Sequence, residues 1–245
     1  MTKKAVIQGL LALVLVFAFS GCSTVKGWFS KNKTDDRPPD VLAEEGIKNL
    51  KKKKYDDAIE TFEKVRDRYP YSDQAMLAQI KLADAYFYKK KYDEALQAYK
   101  EFEKLHPTNR AVPYAVFRQG LCYYRQRSTI DRDQTYTFKA LQEFRRLKQK
   151  YPQCDYIPKA EKYMARCRRD LAEHEFYVGA FYFRTKKYKA ALDRFQVVAQ
   201  EYPEFPKQAE AKEYIDNCQK KLAEADTKPK SGFMYKISHL FDAQW

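Results

Sequence analysis

One spacing of residues occurs four times in this chain. Each copy has an alanine four residues before an aromatic residue and twelve before a proline: Ala58, Phe62 and Pro70; Ala95, Tyr99 and Pro107; Ala140, Phe144 and Pro152; Ala191, Phe195 and Pro203. Residues four apart share one face of an α-helix, so each copy sets a small side chain beside a large one. Because proline cannot continue a helix, each copy also predicts where a helix ends.

A helix-length segment with a small residue near its middle precedes three of these copies, at Gly46, Gly120 and Gly179. A small residue there lets the two helices of a pair cross closely. The chain shows no alternating β-branched runs that would indicate a sheet. We therefore predict an all-α fold, an α-solenoid of about four or five tetratricopeptide-type helix–turn–helix repeats with nine or ten helices in total.

Two departures from the repeat spacing are informative. Gly120 and Ala140 lie 20 residues apart, whereas Gly46 and Ala58 lie 12 apart, which predicts an inserted loop at 127–136. Such a loop is either a working edge of the solenoid or a solvated decoration. No helix breaker occurs from Lys159 to Thr185. This continuity predicts one long central helix of roughly 27–29 residues.

The spacing and composition together predict a domain organisation. A lipoprotein signal peptide occupies 1–21 and a lipidated flexible tether 22–39, which ends in Arg37-Pro38-Pro39. The repeats follow as 40–107 (repeats 1 and 2), 108–152 (repeat 3 with its insert), 153–203 (the long helix and repeat 4) and 204–226 (a C-terminal repeat helix). The tail at 227–245 is interpreted as a cap or a partner-binding segment, or alternatively as a membrane-binding one.

The first residues indicate the cellular compartment. Lys3 and Lys4 precede an apolar run from Ala5 to Phe19, which is too short for a comfortable membrane span. The run ends in Ser20-Gly21-Cys22, a pattern that resembles a bacterial lipobox. We expect cleavage before Cys22 and lipidation of its thiol, with an ordinary signal peptide or an anchor helix as the alternative. Ser23 after the cysteine implies delivery to the outer membrane, by resemblance to known sorting signals.

Charge and cysteine usage leave alternatives open. Lys and Arg exceed Asp and Glu by 47 to 33. This excess of positive charge is interpreted either as a solvated surface or as a surface that contacts anionic lipid headgroups or an acidic protein. No zinc-finger spacing, RNP motif or recognition helix supports nucleic-acid binding. Four further cysteines are interpreted as small buried apolar residues, with a disulfide as the alternative: Cys122, Cys154, Cys167 and Cys218.

No catalytic motif is present in the sequence. It has no G-x-S-x-G, P-loop, H-E-x-x-H or Cys-x-x-Cys pattern. We therefore expect no enzyme activity, no cofactor and no metal site. A glycan-binding lipoprotein would be expected to stack sugars on tryptophan, but Trp28 and Trp245 both lie outside the repeats.

Taken together, the lipobox, the Tyr-Pro-terminated repeats and the long helix resemble the BamD family, lipoproteins of the outer-membrane β-barrel assembly machinery. More specific matches are Arg68-Tyr69-Pro70, Arg118 to Leu121, the insert Asp131-Arg132-Asp133 and Asp193-Arg194. The resemblance extends to about Ala225. It implies a scaffold that is lipid-anchored on the periplasmic side of the outer membrane. The alternative is a tetratricopeptide lipoprotein of another envelope machine, such as a pilus pilotin or a cell-division coordinator.

The resemblance also implies partners and sites. Family members bind the barrel protein BamA through their C-terminal repeats, work with other assembly lipoproteins and receive signals from unfolded outer-membrane proteins. Arg194 matches the BamA-coupling arginine, and we expect the insert Asp131, Arg132 and Asp133 to bind partners as well. Tyr69 matches an aromatic residue beside the substrate groove.

The aromatic residues of the predicted inner face offer rings and hydroxyls to an extended peptide that ends in an aromatic residue. Four tyrosines are assigned to this groove: Tyr86, Tyr88, Tyr123 and Tyr124. Ordinary packing between helices is the alternative for each of them.

Overall fold

The computed structural model describes residues 36–227, and within them the chain forms nine helices and no strand. They are α1 (Pro39–Lys51), α2 (Tyr55–Arg68), α3 (Asp73–Tyr88), α4 (Tyr92–Leu105), α5 (Val112–Arg125), α6 (Thr135–Lys150), α7 (Ile157–Arg184), α8 (Tyr188–Glu201) and α9 (Gln208–Thr227). Each helix packs against the next along the chain. The predicted all-α solenoid of tetratricopeptide-type repeats is confirmed.

The repeated alanine and aromatic residues form the core. Ala58 and Phe62 have no exposed surface, and the equivalent residues of the other three copies are also fully buried: Ala95, Tyr99, Ala140, Phe144, Ala191 and Phe195. The small residues of the first helices allow these rings to approach. A Cβ atom at Gly46 would lie 2.5 Å from Cε1 of Phe62, and one at Gly120 would lie 2.5 Å from Cε1 of Phe144. A methyl group at either position would force the pair of helices apart.

The second helix of each repeat ends where the sequence predicts. Helices α2, α4, α6 and α8 each stop one residue before a Tyr-Pro or His-Pro pair. The backbone N–H of that tyrosine or histidine closes the last turn, as in the 3.0 Å bond from Tyr69 to the carbonyl of Val65. The proline that follows has no N–H and cannot extend the helix.

The predicted long helix is confirmed as α7, which has 28 residues. Its first half contributes to the core of repeats 2 and 3, where Tyr163 stacks on Phe144 at 5.5 Å between ring centroids. Its second half belongs to a separate core with α8 and α9, where Phe176 meets Phe195 edge-on at 5.4 Å. One continuous helix therefore connects the two apolar cores.

The insert occupies 126–134, between α5 and α6. The sequence placed it at 127–136, but Thr135 and Tyr136 already belong to α6. The predicted signal peptide, Cys22, most of the tether and the tail at 228–245 lie outside the described residues.

The thiols of Cys122, Cys154, Cys167 and Cys218 are free, and all but Cys154 are buried. Burial raises the pKa of Cys122 and of Cys167 to about 12. These two buried thiols therefore remain protonated and unreactive at neutral pH.

Candidate partner-binding site

Arg194 lies on α8 and is held by a carboxylate of the long helix. Its Nη1 donates to both carboxylate oxygens of Glu175, at 2.9 and 3.2 Å. The hydrogen bond with Glu175 raises the pKa of Arg194. The Arg194 side chain is 43% exposed and that of Glu175 is 18% exposed. Within the described part of the chain Nε and Nη2 of Arg194 have no acceptor, so two directions of the guanidinium remain available to a partner.

The insert is an ordered loop with a polar centre. Gln134 is buried, and its amide nitrogen donates to the carbonyls of Thr129 (2.8 Å) and Arg132 (3.0 Å). Its amide oxygen accepts from Thr137 at 2.8 Å. One side chain thus closes the loop and ties it to α6. A loop closed in this way presents its outer residues in a fixed arrangement.

The three predicted partner-binding residues of the insert are exposed. Asp133 accepts from the backbone N–H of Thr135 at 3.1 Å and from its hydroxyl at 2.9 Å, so it also caps the start of α6. A hydrogen bond with Thr129 lowers the pKa of Asp131. Asp131 and Arg132 therefore present opposite charges to solvent, whereas Asp133 has a structural role as well.

The long helix α7 also forms two polar contacts with the insert. Nδ1 of His174 lies 2.6 Å from the carbonyl oxygen of Ile130, and Nε of Arg127 donates to Asp170 at 3.2 Å. His174 is adjacent to Glu175, the partner of Arg194. Arg194 and the insert, which the sequence placed in different repeats, are thus attached to neighbouring residues of α7.

The tyrosines assigned to a substrate groove do not share one environment. Tyr86 and Tyr123 occupy equivalent positions, 37 residues apart, in repeats 2 and 3. The hydroxyl of Tyr86 donates to Glu63 at 2.8 Å, whereas that of Tyr123 accepts from Lys100 at 3.2 Å. Burial, followed by the bond with Glu63, raises the pKa of Tyr86 to about 12. The two hydroxyls therefore face neighbours of opposite charge.

Of the other three tyrosines, Tyr88 is the most accessible, at 48% exposed, and its ring stacks on Tyr55 at 6.2 Å. Tyr69 is half-buried against the core of repeat 1. Tyr124 is buried and packs edge-on against Tyr163 at 4.8 Å. The assignment of Tyr124 to an accessible groove is therefore wrong, because α7 covers its ring.

Clefts of opposite charge flank α4. One, of about 380 Å³, lies between α2, α3 and α4 and is lined by one basic and three acidic side chains besides Tyr86: Arg66, Asp93, Glu94 and Glu101. The other, of about 520 Å³, lies between α4 and α6 and is lined by four basic and two acidic side chains: Lys100, Lys104, Arg146, Lys150, Glu103 and Glu143. In the second cleft Arg146 binds both Glu103, at 2.6 Å, and Glu143, at 2.8 Å. The excess of basic over acidic side chains makes this cleft positive.

A buried polar network between α3, α4 and α5 was not anticipated from the sequence. Asp84 accepts from the hydroxyls of Tyr99 and Tyr114, both at 2.6 Å, and from Lys81 at 3.0 Å. Nε of Arg118 donates to the Tyr99 hydroxyl at 2.8 Å. The sequence pointed to this network only through Arg118, which belongs to the family match from Arg118 to Leu121 but was given no structural role there. An acid on one helix and a base two helices later cannot be paired by periodicity alone.

Within residues 36–227 no cluster of three or more His, Cys, Asp or Glu side chains could hold a metal ion. Nor does any helix in that range have the length and apolar character required to cross a membrane.

Comparison with known proteins identifies the family. The family model "YfiO: Outer membrane lipoprotein" matches residues 35–232. This chain belongs to the YfiO family. Three relatives bear the name outer membrane protein assembly factor BamD. The Rickettsia prowazekii protein is 31% identical over 78% of this chain and 74% of its own length. The Vibrio cholerae protein is 29% identical over 82% of this chain and 85% of its own length. The Neisseria meningitidis serogroup B protein is 28% identical over 96% of this chain and 97% of its own length.

The resemblance to BamD that the sequence suggested is therefore confirmed. The YfiO match contains all nine described helices, the insert and Arg194. The residues that hold Arg194 and the insert, Glu175 and His174, were missed as site residues. The sequence shows only that Glu175 and His174 are consecutive on one helix. Their contacts with Arg194 and the insert depend on where α8 and the insert pack.

Proposed function

We propose that this YfiO-family protein is a non-catalytic scaffold of the outer-membrane β-barrel assembly machinery, on the periplasmic side of the outer membrane and anchored through lipid on Cys22. Its partners are a BamA-type barrel protein, other assembly lipoproteins and unfolded outer-membrane proteins. The observation that carries the proposal is Arg194, partly exposed and held by Glu175 of α7, together with the ordered insert, which contacts the preceding α7 residue, His174. The name of the relatives, outer membrane protein assembly factor, supports the class of complex.

In this proposal the barrel protein offers a carboxylate to the spare donors of Arg194. Two parallel N–H groups of a guanidinium match the two oxygens of a carboxylate. Glu175 holds the side chain in place before the partner arrives, which lowers the entropy lost on binding. Asp131 and Arg132 add a second contact, from an insert that is held by the preceding residue of α7.

The coupling role is tested by copurification from detergent-solubilised outer membranes with tagged wild-type protein and the Arg194→Glu variant. We expect a BamA-type barrel protein to copurify with the wild type and to be at least tenfold depleted with the variant, since a partner carboxylate would then face a carboxylate. The matched control is Lys148→Glu, which reverses a charge in another exposed ion pair, with Glu161 at 2.7 Å.

Equal recovery of the barrel protein with Arg194→Glu and with wild type would reject the coupling role of Arg194 but keep the assembly function. Recovery of pilus or cell-division proteins without any barrel protein would reject the assembly function itself.

For the substrate, we propose that Tyr86, Tyr88 and Tyr123, with Tyr69 at the end of the first repeat, contact an extended peptide that ends in an aromatic residue. A suitable probe is a labelled synthetic strand with alternating apolar residues and a terminal phenylalanine. We expect Tyr88→Ala to weaken its binding roughly fivefold or more. The control is Tyr177→Ala on α7, because Tyr177 is 44% exposed and thus similar to Tyr88. Equal losses in both variants would show that the peptide does not use this tyrosine set.

The lipid anchor has a separate test. We expect Cys22→Ser to abolish incorporation of labelled palmitate and to move the protein from the membrane to the soluble fraction, since no acyl chain then remains. Continued palmitate labelling of Cys22→Ser would reject Cys22 as the anchor.

A further inference from the structure

The loops at the two ends of the helix pairs differ strongly in charge. The loops that follow α1, α3, α5 and α7 carry ten basic and two acidic side chains: Lys52, Lys53, Lys54, Lys89, Lys90, Lys91, Arg127, Arg132, Lys186, Lys187, Asp131 and Asp133. The loops that follow α2, α4, α6 and α8 carry two of each: Arg110, Lys207, Asp155 and Glu204. The positive charge is therefore concentrated in the first set of loops.

The loops of the basic set point in one direction. Consecutive helices are joined by short loops and pack against each other, so they run antiparallel. The carboxyl ends of α1, α3, α5 and α7 consequently point in the same direction, and α7 extends ten residues beyond His174, where it contacts the insert. A direct contact joins the first two of these loops, because Lys89 pairs with Asp56 at the start of α2.

Three lysines of this set have an unusual backbone conformation. Lys53, Lys90 and Lys186 have φ values of 60°, 66° and 60°, and no other non-glycine residue in the described part of the chain has positive φ. This left-handed region is disfavoured for residues with a side chain, and glycine or asparagine normally occupies it. Lysine nevertheless occurs at the same position of all three short turns, two residues before Tyr55, Tyr92 and Tyr188.

Local electrostatics explains only part of the pattern. Lysines near the carboxyl ends of helices stabilise the helix dipole. Three of the flanking lysines also form ion pairs: Lys54 with Asp57 at 3.6 Å, Lys91 with Glu94 at 3.3 Å, and Lys89 with Asp56. Lys53, Lys90 and Lys186 are exposed and form no ion pair among residues 36–227. Their ammonium groups therefore remain available to an external anion.

We infer that these lysine turns form a docking surface for anionic phospholipid headgroups. This inference rests on the proposed location at the outer membrane, where phospholipid phosphates would be the nearest extended array of negative charge. Lysine suits such a surface because its ammonium is a compact charge on a flexible stem that can adapt to mobile headgroups. The second, neutral set of loops then faces away from the bilayer.

The test uses the chain from residue 22 onward with Cys22→Ser, so that no acyl chain contributes to binding. Sedimentation measures its partition onto vesicles of equimolar phosphatidylglycerol and phosphatidylcholine, and onto phosphatidylcholine alone. The turn variant combines Lys53→Asn, Lys90→Asn and Lys186→Asn. Asparagine tolerates the left-handed conformation, so we expect an unchanged or raised melting temperature together with at least a tenfold loss of binding to the anionic vesicles.

The control variant removes the same charge from exposed helical positions through Lys104→Gln, Lys159→Gln and Lys212→Gln. The control variant has the same net charge as the turn variant but keeps the lysine turns. Its binding to the anionic vesicles should therefore fall less than threefold. Equal losses of vesicle binding in the two variants would show that net charge alone determines binding, and would reject a specific docking surface at the lysine turns. Wild-type binding that is absent, or equal on both vesicles, would overturn the inference and leave an acidic protein as the partner. The copurification of a barrel protein tests the proposed function independently of all these outcomes.

Discussion

Two arginine–carboxylate pairs in this protein have the same chemistry and opposite surroundings. Arg118 and Asp84 are buried, with side chains 8% and 3% exposed and 3.6 Å between Nη2 and Oδ1. Arg194 and Glu175 lie at the surface and are 2.9 Å apart. The exposed pair is the closer one, so distance alone does not distinguish their roles.

The neighbours of the two pairs explain the difference. Asp84 accepts hydrogen bonds from Tyr99, Tyr114 and Lys81. The guanidinium of Arg118 lies 3.7 Å from the centre of the Phe87 ring. Buried charges need such compensation because they have left water, and they are then too enclosed to meet a partner. Arg194 has one anchor and open solvent beside it. Burial therefore makes one arginine structural and leaves the other available for binding.

The largest expected effect is loss of the fold at alkaline pH. Burial, together with the charge of Asp84, raises the pKa of Tyr99 and Tyr114, and burial raises that of Cys122 and Cys167 to about 12. A group whose pKa is higher in the folded state than in the unfolded state stabilises the fold while it is protonated. This stabilisation is fully present below the pKa of the unfolded state, about 9 for the thiols and 10 for tyrosine. This stability is lost as the pH rises towards the folded values.

We therefore expect cooperative unfolding above about pH 10, with tyrosinate absorbance rising together with the loss of helical circular dichroism. The exposed pair should contribute nothing to this transition. Ionisation of all tyrosines while the helices remain intact would contradict the buried network.

The next largest effect is expected for Arg118→Met. Removing the arginine leaves the buried Asp84 with Lys81 as its one cationic neighbour among the described residues, which costs up to about 3–5 kcal/mol in the free energy of unfolding. Urea titration followed by circular dichroism measures this change. The double variant Arg118→Met with Asp84→Leu should recover much of the loss, because neither charge is then buried alone. A loss below about 1 kcal/mol for the single variant would show that water reaches Asp84.

A smaller effect is expected for the tyrosine hydroxyls. Tyr99→Phe removes a donor to Asp84 and the acceptor of Arg118, whereas Tyr114→Phe removes only a donor. We expect losses of about 1–3 kcal/mol, larger for Tyr99→Phe than for Tyr114→Phe. Tyr177→Phe on the surface of α7 is the control and should be neutral. The reverse order of the two losses would contradict the assigned donor and acceptor roles.

The smallest effect on stability is expected at the exposed pair. Glu175→Gln should change the free energy of unfolding by about 0–1 kcal/mol, because Arg194 is 43% exposed and solvent screens the pair. The same variant should still weaken recovery of the barrel protein, because Arg194 is then held less firmly. Unchanged copurification would show that Glu175 does not position the arginine.

The core and the helix ends were predictable from sequence because both follow from local rules. Ala58 and Phe62 are four residues apart on one helix, and Pro70 ends that helix whatever surrounds it. The length of α7 followed from the absence of a breaker. The insert was located to within two residues because it interrupts a repeat of known spacing.

The candidate site was less predictable. Arg194 came from the family resemblance, but its contact with Glu175 joins two helices. Tyr124 follows Tyr123 directly, and only the position of α7 makes one buried and the other half-exposed. The assignment of Tyr124 was therefore wrong because packing between helices decided its accessibility.

The sequence by itself determined that this chain is a stack of helix pairs with one long helix, because spacing and proline act within one or two turns of backbone. Tertiary structure alone decided that Arg118 is enclosed and Arg194 accessible, and that Arg194 and the insert contact neighbouring residues of α7. Burial and pairing depend on side chains between 15 and 44 residues away along the chain, and no local rule specifies which of them arrive.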